Sequence, residues 1–222
     1  MQQKDVRPGD LLLTRGGDNK WLSECIREKI KSVTGSPYTH AAIALSSTEI
    51  VDARPGGVKI RAMQELVDGA DCVAVLARSD IWDAKRLQLL GEYAATLQAA
   101  GARYNYRDAL AFEATKAQHQ AGVTQALDDY FKQAEKGEQH AATNLGPFFC
   151  SELVVNCLIH IGFIDPSAAV VFEPGTQSPG DLLADATYGY LVGYLTKDPT
   201  YKMSDDDPLQ TLTRYVDVCG PR

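Results

Sequence analysis

The stretch Gly146-Pro147-Phe148-Phe149-Cys150-Ser151-Glu152-Leu153-Val154 reads as a turn leading into an apolar helix from Cys150 to about His160, with Cys150 in the first turn. The N-terminus of a helix carries unpaired N–H groups and a partial positive charge. A thiol placed there is expected to be acidified, and the thiolate is the nucleophilic form of cysteine. The same N–H groups can hold an oxyanion once a thiolate attacks a carbonyl. Phe163-Ile164-Asp165-Pro166 ends the helix.

Outward from this helix, the first third of the chain is rich in strands. Pro8-Gly9-Asp10 turns into a short buried strand, Leu11-Leu12-Leu13-Thr14. Trp21 to Val33 has apolar residues at 22, 25, 26, 30 and 33, the spacing of an amphipathic helix, which Gly35-Ser36-Pro37 stops. His40 to Leu45 and Glu49 to Ala53 read as two strands joined by Ser46-Ser47-Thr48. Val58-Lys59-Ile60 follows the turn Pro55-Gly56-Gly57, Met63 to Leu66 is one helical turn, and Cys72 to Ala77 is a further strand. Asp80 to Ala100 reads as a helix capped by Asp80 or Asp83 and closed by Gly101. Arg107 to Gln118 is a second helix, with Ala109, Leu110, Phe112 and Ala117 as its buried positions. Residues 119–145 are polar and read as a surface excursion, partly helical or mobile. Asp181 opens a short helix after Ser178-Pro179-Gly180, and Tyr188 to Leu195 is a last strand.

With 222 residues, 45% of them hydrophobic, the chain has the size and core content of one globular domain, 1–222, carrying a helical and polar insertion over 83–145. A net charge of −7 and the lack of a basic run argue against a nucleic-acid partner. No apolar run approaches the roughly 20 residues of a transmembrane helix. Met1 to Pro8 lacks the apolar core of a secretory signal, so cytoplasmic synthesis without a Sec signal is expected, with export by a signal-independent route left open. The five cysteines (25, 72, 150, 157, 219) are odd in number and contain no CxxC, which excludes a zinc ribbon or thioredoxin motif and suits free thiols.

Cys150 is the candidate nucleophile, because turn chemistry precedes it and apolar helix follows it; the other four cysteines fit buried structural roles. His40, among small and apolar residues on a strand, is the candidate base. His160 lies ten positions along the Cys150 helix, roughly 15 Å away, and forms with Glu152 and Asn156 a polar stripe read as solvated. His119 and His140 fall in the polar excursion, and His140 is the competitor for the role of base. Asp52, twelve positions after His40, can become its neighbour across a hairpin and orient the ring, or bond instead to Arg54 or Arg61. Tyr38 and the cluster Tyr104-Asn105-Tyr106 either border the cleft or pack as core aromatics. Two other readings stay open. One is a zinc site of His40, Asp52 and Cys150; the other is an inactive binding module.

In this order, Pro8-Gly9-Asp10-Leu11, Tyr38-Thr39-His40-Ala41, Val51-Asp52-Ala53-Arg54, Phe148-Phe149-Cys150-Ser151 and Ser178-Pro179-Gly180-Asp181 resemble the YiiX-like branch of the permuted NlpC-type papain-like cysteine peptidase superfamily, with lecithin retinol acyltransferase a distant relative. The resemblance touches most of 8–80 and 146–195 and leaves 83–145 unexplained. It implies an α+β fold, an antiparallel sheet or half-barrel packed on the cysteine-bearing helix. It implies Cys150 as nucleophile, His40 as base and Asp52 as third polar residue, where many relatives have glutamate or histidine. No cofactor and no metal are implied. The implied substrate is a small peptide amide, as in peptidoglycan stem peptides, or the acyl group of a lipid. A cell-wall target would make the chain an exported antibacterial effector, with secretion machinery or an immunity protein as partner.

Overall fold

The computed structural model describes residues 1–17, 24–136 and 144–221. Six antiparallel strands form one sheet: β1 (Leu11–Arg15), β2 (Tyr38–Ala44), β3 (Glu49–Arg54), β4 (Gly57–Ala62), β5 (Cys72–Ala77) and β6 (Tyr190–Leu195), in spatial order β4-β3-β2-β1-β5-β6. The eight helices among the described residues are α1 (Glu24–Thr34), α2 (Met63–Asp68), α3 (Ala84–Ala99), α4 (Tyr106–Glu135), α5 (Cys150–His160), α6 (Pro166–Val171), α7 (Pro179–Ala184) and α8 (Tyr215–Cys219). The class is α+β. Trp21 and Leu22, the expected start of the first amphipathic helix, lie outside the described residues.

Strand alternation sorts the sheet into two faces. Leu11, Leu13, Ala41, Ile43, Val51, Ala53, Ala74 and Leu76 join the larger core with Leu153, Val154 and Cys157 of α5 and with Leu90, Tyr93 and Leu97 of α3. Leu12, Ala42, Ala44, Ile50, Val73 and Val75 join the smaller one, with Met63 and Leu66 of α2. β3 turns into β4 through Pro55-Gly56, with Gly56 at φ +101; proline then glycine is the pair a type II turn requires. The last strand begins at Tyr190 because Gly189 enters at φ +138, with the Ala77 backbone 3.0 Å from where a Cβ would stand.

The helix α5 is apolar nearly all round and accordingly central: Leu153, Val154, Val155 and Cys157 are inaccessible to solvent. Leu153→Ala is expected to cost about 2–5 kcal/mol, the range for a leucine truncated in a packed core. Urea unfolding should show it as a lower midpoint with an unchanged slope.

Three expectations are corrected. First, the helix expected to end at Gln118 does not end there: α4 continues to Glu135, so the polar stretch is helical that far. Asn105 caps its start by accepting the Asp108 N–H at 3.2 Å, Lys116 meets Asp181 at 2.7 Å, and Gln125 donates to Asp129 at 2.8 Å. Phe112 is buried on it but Ala117 is exposed, and nothing is described of the Leu110 side chain. His140 and the rest of 137–143 lie outside the described residues. Second, the stripe Glu152, Asn156, His160 is only partly solvated. Asn156 is buried and accepts from Asn144 at 3.0 Å, and His160 stacks on Tyr93 at 4.1 Å between ring centroids. Third, Ser178 rather than Asp181 caps α7; Asp181 closes a reciprocal capping box with it.

Candidate active site

Two short extended segments set the start of α5. Tyr104 and Phe148 form a parallel bridge, with Phe148 N–H donating to Arg103 O at 3.0 Å and Asn105 N–H to Phe148 O at 2.9 Å. Helices α4 and α5 therefore spring from the same place, and Tyr104 comes beside Cys150. The residue before Cys150 is Phe149, whose side chain offers no cap. The helix thus begins without the usual Ser, Thr, Asp or Asn oxygen to absorb its first N–H groups. Glu152 accepts the Phe149 N–H at 3.0 Å, and burial pushes its carboxyl up to about 7.

The cysteine sulfur takes up the N–H groups the cap leaves. Backbone N–H groups of Ala41, Ser151 and Cys150 itself are placed to favour the thiolate. The Ala41 donor follows from the sheet. Leu45 N–H donates to Glu49 O, so donors toward β3 fall at Leu45, Ile43 and Ala41. The β2–β3 register ends at Ala42↔Asp52, one step before Ala41 would face Ala53. At that parting of the strands the Ala41 N–H has no β3 partner in the register and favours the Cys150 thiolate. It belongs to the peptide unit that starts at His40, so the sulfur lies beside the backbone that carries the imidazole.

His40 Nε2 lies 3.0 Å from Asp52 Oδ2, with both side chains buried. The hairpin between them puts both on the face of Ala42 and Ile50, that of the smaller core, whereas Cys150 packs in the larger core with Ala41 and Ile43; thiol and imidazole flank the same peptide unit of β2 from different faces of the sheet. Asp52 holds more than the histidine: Arg54 Nε bonds to Oδ2, and Arg61 Nε to Oδ1 at 2.8 Å. The histidine and both arginines are thus partners of Asp52 at once. Burial pushes the Asp52 carboxyl up, but the bond to His40 and the charges of His40, Arg54 and Arg61 hold it below its ordinary value. An ionised carboxylate only accepts. The ring therefore donates from Nε2, and Nδ1 carries the lone pair.

The expected acidified thiol is corrected. Burial pushes Cys150 up to about 11, against the three N–H groups that favour its anion. Burial also holds His40 below its ordinary value, with Asp52 opposing and the two arginines adding to the effect. At neutral pH the pair is a thiol and a neutral imidazole, not a thiolate and an imidazolium. Desolvation decides this, because it penalises both charged forms at once.

Tyr38 is wholly buried and its hydroxyl donates to Asp207 at 3.1 Å, which makes it a core aromatic rather than a cleft wall. Arg15 meets the same Asp207, so this cluster ties the C-terminal segment to β1 and β2. Tyr104 does line a pocket with Cys150, and burial raises its phenol. The same pocket draws on Ile30 and Val33 of α1, Phe112 of α4, and Phe149. Only its thiol and Tyr104 were expected at the site; Ile30, Val33 and Phe112 were read as apolar helix faces, with nothing to show that those faces meet at Cys150. Cys72 and Cys157 are buried free thiols, as expected, and burial pushes Cys157 up to about 12; Cys219, expected to be buried as well, is an exposed free thiol. Among the described residues no group of three or more His, Cys, Asp or Glu side chains is placed to hold a metal ion, and no helix is long and apolar enough to cross a membrane. No protein-family model and no curated protein matches the chain.

Proposed function

We propose that the chain is a cysteine hydrolase of permuted papain-like architecture that cleaves an acyl bond through a thioester on Cys150. What supports this reading is the end of β2 where it parts from β3: the thiol stands by the N–H groups of α5 and of Ala41, and the residue before Ala41, His40, has its imidazole fixed by a buried carboxylate on the other face of the sheet, so that the open strand end is the route between them. His40 takes the thiol proton as the sulfur bonds to the carbonyl carbon. The N–H groups at the start of α5 then serve the oxyanion. The bond to the leaving nitrogen or oxygen breaks as that atom takes the proton from His40. Water, deprotonated by His40, attacks the thioester, and the acid leaves as the sulfur regains a proton.

The resemblance favours an amide in peptidoglycan stem peptides, a target that requires passage to the periplasm. The apolar pocket at the thiol favours the second reading, a lipid-type acyl group. Incubation with purified muropeptides should release shortened stems in the first case and leave them intact in the second. The chemistry common to both is tested with an activated 4-nitrophenyl ester and intact-protein mass spectrometry. One acyl adduct is expected, mapped to Cys150 and lost in Cys150→Ala. Adducts spread over Cys157 and Cys219, or no adduct at all, would sink the reading.

A further inference from the structure

A second, wider hollow adjoins the one that holds the thiol. Tyr104 belongs to the walls of both. This second hollow is an open groove of about 590 Å³. Glycines keep it clear: a Cβ added at Gly56 or Gly101 would meet nothing within 4 Å. Tyr106 lines it too, half-exposed, and meets Tyr104 edge to face at 4.8 Å between ring centroids. The charged side chains of the lining, among the described residues, are Arg103 and Arg107. Both are exposed, and neither has an ion pair among the described residues. The positions three and four after Arg107 on α4 are leucine and alanine, so no carboxylate of the next turn reaches it. Asp108, the acid nearest in sequence, accepts instead from Asn105 Nδ2 at 2.7 Å. On a chain of net charge −7, two unpaired guanidiniums in one groove make a local field that favours an anion.

We infer that this groove is an anion subsite: Arg103 and Arg107 hold an oxyanion of the substrate, a carboxylate or a phosphate, while the neighbouring thiol attacks a carbonyl of the same molecule. The inference deepens the hydrolase reading and rests on it, although the anion site itself does not need the reaction. Guanidinium is the side chain whose planar fork pairs bidentately with either oxyanion. The backbone behind the two arginines is fixed. Phe148 N–H donates to Arg103 O at 3.0 Å, and Asn105 caps the helix that carries Arg107. The same bridge sets the start of α5, so one joint fixes both the anion site and Cys150. The half-exposed ring of Tyr106 offers a flat apolar face to the body that bears the anion. Neither arginine enters the reacting bonds; both position the substrate. A free carboxylate of a peptide and the phosphate of a lipid headgroup present this chemistry alike.

Benzamide, benzoate and phenyl phosphate share a ring and differ in charge. Each is titrated into the full chain at low salt, and binding is followed by the broadening of the ligand's NMR signals. The better anion is expected to bind at least about tenfold more tightly than benzamide, the worth of one hydrogen bond to a charged group, and added salt should weaken it. Benzoate as the tighter ligand supports the site with a carboxylate source; phenyl phosphate supports it with a phosphate source. Arg103→Gln and Arg107→Gln are each expected to lower the preference severalfold, and together to abolish it. Thermal melts check that the variants fold, and the single substitutions carry the test if the double one does not. Equal binding of all three ligands, or a preference that survives the substitutions, overturns the site. Its place on the substrate's path has a separate readout. Saturating anion should slow acylation of Cys150 by the 4-nitrophenyl ester severalfold in wild type and not in the double variant. Binding that leaves acylation unchanged takes the anion off that path and overturns the assignment. Charge-selective binding in a protein that no ester acylates leaves the anion site standing and removes the hydrolase reading; acylation without charge-selective binding does the reverse.

Discussion

His40→Gln is expected to slow acylation of Cys150 by at least about 10²-fold, the lower end of what a positioned base contributes. The glutamine amide can still donate to Asp52 and fill the buried site, but it has no nitrogen that accepts the thiol proton. The effect is large because the resting thiol is not ionised: its pKa of about 11 leaves almost no thiolate at neutral pH, so the proton must be removed during attack. The pH profile carries the same information. The active form is the neutral imidazole, and burial holds His40 below 6.5. Wild-type kcat/KM should therefore fall only at acid pH, below the ordinary histidine range, and stay level up to the alkaline titration of the thiol. Glu152, which titrates near 7, is removed as a confounder by Glu152→Gln, which still accepts the Phe149 N–H. A preformed thiolate–imidazolium pair would behave differently: activity would decline above neutrality, and iodoacetamide would label Cys150 rapidly at pH 6. Either result would reject the neutral pair. A His40→Gln protein as active as wild type would remove the histidine from the mechanism.

Local pattern was enough to place the sheet. Period-two alternation over 40–45 and 49–53 and the intervening turn set His40 and Asp52 on one face before any tertiary contact is considered, and the register Ala42↔Asp52 is what that pattern requires. The same alternation puts Arg54 beside Asp52, and Arg61 reaches it because β4 pairs Lys59 with Asp52 two residues earlier. The arginines read as rivals to the orienting role are instead its co-partners. Helix α4 was only half visible because periodicity reports a buried stripe, and beyond Phe112 this helix buries little; its polar run carries no stripe to detect. The thiol's titration was misread for a related reason. A helix N-terminus is a local feature, whereas the burial that outweighs it is assembled from β2, Tyr104 and α5. The pocket likewise joins α1, α4 and α5, segments more than a hundred positions apart at the extremes, and nothing in any one of them announces it.

The arrangement makes the acid more than an orienter. Asp52→Ala is expected to destabilise the fold by about 3–5 kcal/mol, the range for removing one partner of a buried charge cluster. Asp52 is inaccessible to solvent, and its loss leaves the buried Arg54 and the largely buried Arg61 without their shared carboxylate. Asp52→Asn should cost less, because the amide oxygen still accepts one bond. It should nevertheless impair acylation, since an amide that turns its N–H₂ toward Nε2 favours the tautomer with the proton on Nδ1, where the base must be vacant. Stability and activity thus separate across the two variants: alanine unfolds readily, whereas asparagine folds and turns over slowly. The pH dependence of stability follows from the sign of the shift. A carboxylate held below its ordinary value stabilises fully above the unfolded pKa of about 3.9, and that contribution disappears as pH falls through the lower folded value. Wild type should therefore lose stability more steeply than Asp52→Asn as pH drops below about 4, measured by urea midpoints at successive pH values. Parallel curves for the two proteins would show that Asp52 is not the charge that holds the arginines, and with it would go the account of why this histidine keeps one orientation.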